Sequence, residues 1–140
     1  MEDFISKEQF EEMLQCKMIA DARNGGLVIG RSHDDGNIDM IRLLRNKSGY
    51  EYCSKLEGGE YILCHEAYLK YKQTIIEINS YKQYGDKVDL YDVCKCNIIL
   101  TQNEPFDKTL LIDYRGQFIV NKRATSKYLY EIDCINKLIF

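Results

Sequence analysis

A single proline among 140 residues leaves few points where a helix or strand must break, and no apolar run approaches the roughly 18 residues of a membrane helix. The basic start and apolar run of a signal peptide are also missing from Met1-Glu2-Asp3-Phe4. The expected location is therefore the cytoplasm, and no membrane partner is expected. Basic excess is lacking as well: 19 Lys and Arg face 22 Asp and Glu, a net charge of -3. That argues against the phosphate attraction on which nucleic-acid binders rely, so no nucleic-acid partner is expected. Nine glycines, 45% apolar and 29% charged residues do not describe a disordered tail; they predict one domain over 1–140.

Six cysteines (Cys16, Cys53, Cys64, Cys94, Cys96 and Cys134) are present without an export signal, so buried thiols are expected rather than disulfides. Cys94-Lys95-Cys96 would point both sulfurs to one face of a strand, but the two-residue spacer of a zinc knuckle is absent. No metal and no cofactor are expected.

Ser6-Lys7-Glu8-Gln9 reads as a capping box flanked by Ile5 and Phe10 as a hydrophobic staple. Phe10, Met13, Leu14 and Met18 then recur at helical spacing. This predicts an opening helix over 1–24 that runs to about Arg23 and is stopped by Asn24-Gly25-Gly26, whose glycines suit a left-handed C-terminal cap.

The remainder reads as two degenerate copies of one unit, 26–80 and 85–140, joined near Tyr84-Gly85-Asp86. Gly58-Gly59-Glu60-Tyr61-Ile62-Leu63-Cys64-His65-Glu66-Ala67 aligns with Arg115-Gly116-Gln117-Phe118-Ile119-Val120-Asn121-Lys122-Arg123-Ala124. The alignment continues from Ala67, Tyr71, Ile75 and Ile78-Asn79 to Ala124, Tyr128, Ile132 and Ile135-Asn136. Apolar residues stepping by four, four and three lie on one helix face, so each copy is a short strand leading into a helix. Strands are predicted at Leu27–Ile29, Asn37–Leu44, Gly49–Leu56 and Glu60–Leu63, and again at Lys87–Val93, Asn97–Gln102, Thr109–Tyr114 and Gln117–Val120. The expected fold is α+β: a leading helix, then two repeats of short antiparallel strands plus one helix, paired about a pseudo-twofold.

Copy one carries Gly30-Arg31-Ser32-His33-Asp34-Asp35-Gly36 and Glu57-Gly58-Gly59-Glu60, which copy two lacks. Ser32, His33, Gly58, Gly59 and Tyr61 are therefore binding candidates, and His33, Glu57 and Glu60 are catalytic candidates. An imidazole titrates near neutral pH, and Glu57, Glu60 or Asp34 would orient it or act as a second acid or base. A nucleophile is missing, because Ser32 and Cys64 each adjoin a histidine in sequence and are poorly placed for activation by it. His33, His65, Glu57 and Glu60 have donors suited to a metal but no ligand spacing. Both loops also read as ordinary turn chemistry.

Eleven tyrosines, with Tyr68, Tyr71, Tyr81, Tyr84 and Tyr91 close together, supply material for a contact surface. Lys122, Arg123 and Lys127 read as a solvated helix face.

Gly25-Gly26, Gly30-Arg31-Ser32-His33, Gly36, Glu57-Gly58-Gly59-Glu60-Tyr61-Ile62 and Ala67 together resemble a pattern of small and tail-associated structural proteins of phages and mobile elements, notably of Bacteroidetes. The resemblance spans Gly25 to Asn79; copy two departs from it in its glycine turn and lacks the Ser-His loop. It implies a virion-associated or accessory role and no particular reaction. Binding of a protein partner, with self-association as one form, is the favoured expectation. The alternative is a hydrolase or self-processing module using His33 with Glu57 and Glu60.

Overall fold

The computed structural model describes residues 4–5, 8, 19–30, 41–46, 50–81, 95–100, 109–112 and 116–138. The fold is α+β. In chain order the elements are β1 (Phe4–Ile5), β2 (Ile19–Asp21), β3 (Gly26–Ile29), β4 (Ile41–Asn46), β5 (Tyr50–Leu56), β6 (Tyr61–Leu63), α1 (His65–Lys70), α2 (Lys72–Asn79), β7 (Ile98–Leu100), β8 (Thr109–Ile112), β9 (Phe118–Val120) and α3 (Lys122–Asn136). They form a five-stranded sheet in the order β1-β5-β4-β8-β2 and a four-stranded sheet in the order β7-β3-β6-β9.

Alternation along the short strands builds three layers. Val28, Ile62 and Ile99 of the four-stranded sheet pack in one cluster with Leu56, Leu110 and Ile112 of the five-stranded sheet. Their neighbours Leu27, Tyr61, Leu63 and Val120 point the other way, into a second cluster with Ala67, Ile75, Ala124, Leu129, Ile132 and Ile135 of the helices. Successive strand residues face opposite sides of a sheet, so apolar residues at consecutive positions mark strands covered on both faces. The helical positions read from the sequence, Ala67, Tyr71, Ile75 and Ile78 with Ala124, Tyr128, Ile132 and Ile135, all pack in this second cluster.

The pairing differs from the expected antiparallel strands. Pairs β1·β5, β3·β6, β4·β5 and β6·β9 are antiparallel, whereas β2·β8, β3·β7 and β4·β8 are parallel. Parallel neighbours need long connections, and the β3-to-β7 connection contains both α1 and α2. Apolar periodicity reports which face a strand buries and carries no information about the direction of its neighbour.

The expected helix does not extend to Arg23, and residues 9–18 lie outside the described residues. Glu8 is helical, but Ile19–Asp21 is a strand that runs parallel to Thr109–Leu111. The two glycines read as a helix cap instead turn the corner from β2 into β3, with φ of 79° at Gly25 and 147° at Gly26. The Gly25 amide donates to the Ala22 carbonyl at 3.0 Å, and the Gln117 carboxamide donates to the Ala22 and Arg23 carbonyls at 2.8 and 3.0 Å. Asp21 accepts from the Arg23 amide at 3.0 Å and pairs with its guanidinium at 2.9 Å, which holds the Asp21 carboxyl below the usual carboxylate range. Left-handed glycine suits a strand corner as well as a helix end, and the parallel partner β8 decided between them.

Candidate functional site

The acidic glycine turn, Glu57-Gly58-Gly59-Glu60, joins β5 to β6 and is laced to β3. The Gly59 amide donates to the Val28 carbonyl at 2.8 Å, and the Val28 amide donates to the Glu60 carbonyl at 2.9 Å. Within the turn, the Glu57 amide donates to Glu60 Oε1 at 2.9 Å. Glu57 Oε1 lies 3.9 Å from the Lys122 ammonium at the start of α3. Both carboxylates thus have work in the fold.

Each glycine answers a close approach. A Cβ on Gly58 would fall 2.0 Å from the Gly30 carbonyl oxygen, a separation no side chain tolerates. Gly59 has φ of 98° and lies against the aliphatic stem of Lys122. The Gly58 contact brings the acidic turn to Gly30, the residue that precedes Arg31-Ser32-His33 in sequence. Ser32, His33, Asp34 and Asp35 lie outside the described residues.

Tyr61, one of the binding candidates, is wholly buried and presents no surface to a partner. Its hydroxyl donates to Asp133 Oδ1 at 2.6 Å, and Asp133 Oδ2 pairs with Lys137 at 2.9 Å. Burial, reinforced by the Asp133 carboxylate that accepts its proton, pushes the Tyr61 hydroxyl well above the ordinary tyrosine range. The sequence reading missed Asp133. Its signal was a helical one: Leu129, Asp133 and Asn136 step by four and three along the flank of the apolar stripe, so a polar pair sits where core is expected.

His65 is exposed, and its ring Nδ1 lies 2.8 Å from the Gly116 carbonyl; a carbonyl only accepts, so Nδ1 is the protonated nitrogen in that bond. Among the described residues, no group of three His, Cys, Asp or Glu is arranged to hold a metal ion. Cys64, Cys96 and Cys134 are half-buried and take part in no disulfide. Cys96 precedes β7 rather than lying on a strand, and Cys94 lies outside the described residues.

Among the tyrosines, Tyr68 stacks on Phe118 with centroids 4.7 Å apart, and Tyr81 meets Tyr128 edge-on at 5.6 Å. All four rings pack against the helix-side core; Tyr84 and Tyr91 lie outside the described residues. Lys127 of the basic cluster sits 5.8 Å over the Tyr81 ring.

Comparison with protein-family models, with curated proteins and with solved structures finds no match to the chain. Among the described residues, no helix is long and apolar enough to cross a membrane.

Proposed function

We propose that the protein acts by binding another protein, as an accessory protein of the phage or mobile-element type, and that a second copy of the chain is the partner. The observation that carries this reading is the edge of the four-stranded sheet at β7. Ile98 and Leu100 are 42% and 59% exposed on one face of that strand, while Ile99 between them is buried. Among the described residues, β7 bonds to β3 alone. From Cys96 to Asn103 the chain has no charge and no proline, the devices that ordinarily protect a sheet edge from pairing with another chain. Antiparallel pairing of β7 with β7 of a second copy would cover both side chains and continue the sheet across a twofold axis.

Native mass spectrometry of the full chain over a range of concentrations tests this. A dimer that Leu100→Lys abolishes, with the circular dichroism spectrum retained, supports the proposal. A wild-type monomer at every concentration, or a dimer unchanged by Leu100→Lys, rejects it.

One contact favours a second reading. Because Gly58 rests on Gly30, the acidic turn lies where the Ser-His segment begins in sequence, and a hydrolase or self-processing module would draw on His33 with Glu57 and Glu60. A cleaved chain or metal adduct in the same spectra that disappears with His33→Ala would favour this reading over binding alone.

A further inference from the structure

The two strand-helix segments, 58–81 and 116–138, share more than sequence. Strands β6 and β9 pair Tyr61 with Val120, Ile62 with Ile119 and Leu63 with Phe118. In the sequence alignment Tyr61 corresponds to Phe118, Ile62 to Ile119 and Leu63 to Val120. Exchanging the two segments therefore maps this register onto itself, with a local twofold axis between Ile62 and Ile119. The residues that enter the helices match as well: Cys64 has φ -68° and ψ 158°, and Asn121 has φ -65° and ψ 160°. Both helical segments depart from helical geometry at the same aligned tyrosine, Tyr71 at φ -120° and ψ 33° and Tyr128 at φ -120° and ψ 30°.

Contacts across the axis are reciprocal. Asn79 Oδ1 accepts the Asn121 amide at 2.7 Å, and Asn136 Oδ1 accepts the Cys64 amide at 2.7 Å. The Asn79 main-chain carbonyl accepts from the Asn121 carboxamide at 2.6 Å, as the Asn136 carbonyl accepts from the Cys64 thiol at 3.6 Å. Gly59 faces the Lys122 side chain, and its counterpart Gly116 faces the His65 side chain. Two unrelated segments have no physical reason to share a register, a helix break and a crossed pair of asparagine bonds.

We infer that segments 58–81 and 116–138 are two copies of one self-complementary strand-helix unit, each the docking partner of the other, with Asn79 and Asn136 as the reciprocal latches. The unit recognises a second copy of itself through one strand edge and one carboxamide at the far end of its helix. That carboxamide reads the main chain at the strand-to-helix junction of the opposite unit. The two junctions differ in their caps. Asn121 caps α3 by accepting the Ala124 amide at 2.8 Å, whereas Cys64 makes no such bond to α1.

This difference supplies the test. If the junctions are equivalent, Cys64→Asn installs both the missing cap to the Ala67 amide and a carboxamide donor to the Asn136 carbonyl. The expected result on the full chain is a higher melting temperature and Ala67 amide exchange slowed about fivefold, the factor matching a cap of about 1 kcal/mol. Cys64→Ser, which provides the cap oxygen without the carboxamide donor, gives a smaller rise. Asn121→Cys lowers the melting temperature and speeds Ala124 exchange. A Cys64→Asn protein that melts lower, or leaves Ala67 exchange unchanged, overturns the equivalence, and neither result depends on whether the chain dimerises through β7.

Discussion

The Tyr61 hydroxyl donates to the Asp133 carboxylate at 2.6 Å inside the core, joining the centre of the four-stranded sheet to α3. The Lys137 ammonium lies 2.9 Å from the other carboxylate oxygen and donates to the Lys95 carbonyl at 2.8 Å. This chain of bonds ties β6, α3 and the approach to β7 together. Tyr61→Phe keeps the ring and removes the donor, so it should cost roughly 1.5–3 kcal/mol, the range for a hydrogen bond to a charged group. Urea denaturation checks the figure.

Alkaline pH should erode the same bond. The Tyr61 hydroxyl is raised in the folded protein, so the neutral form is favoured by folding and its contribution is fully present below the unfolded value near 10. Above that value the unfolded chain releases the proton and the folded chain does not, so stability falls as pH rises. The stability advantage of the wild type over Tyr61→Phe should shrink by about 1.4 kcal/mol per pH unit above about 10. An advantage that stays constant from about pH 9 to 11 would contradict this assignment.

At the acidic turn, Gly58→Ala forces a Cβ to within 2.0 Å of the Gly30 oxygen, and the backbone of both loops must move. The expected loss is roughly 1–3 kcal/mol, typical of overpacking. Gly25→Ala meets the Ile62 carbonyl oxygen at 2.3 Å and adds the strain of φ at 79°, so it should cost at least as much. Thermal melts of the two variants make the comparison.

Glu60→Gln removes a charge yet keeps an oxygen for the Glu57 amide. Its stability should remain within about 0.5 kcal/mol of the wild type. Under the binding proposal the subunit number is also unchanged, which native mass spectrometry reads directly.

Much of the local architecture was legible in the chain. The stripe from Ala67 to Ile78 and its counterpart from Ala124 to Ile135 specify the helices, because their spacing aligns apolar groups on one face whatever lies opposite. Consecutive apolar residues at Leu27-Val28 and Tyr61-Ile62-Leu63 specify strands covered on both sides. The candidate site was legible only in part. Glu57-Gly58-Gly59-Glu60 stands out, whereas the buried bond of Tyr61 does not, because its partner, Asp133, is distant in sequence and no local pattern connects them.

What the sequence determined by itself is therefore the set of elements and the faces they bury, since periodicity and turn chemistry act over a few neighbouring residues. Only the tertiary structure decided that Ile19–Asp21 is a strand, that β3 lies parallel to β7, and that Asn79 and Asn136 cross between segments. Those outcomes rest on partners far along the chain. The same Gly-Gly ends a helix or turns a strand corner, and the same asparagine is solvated or latched, according to what the fold brings opposite it.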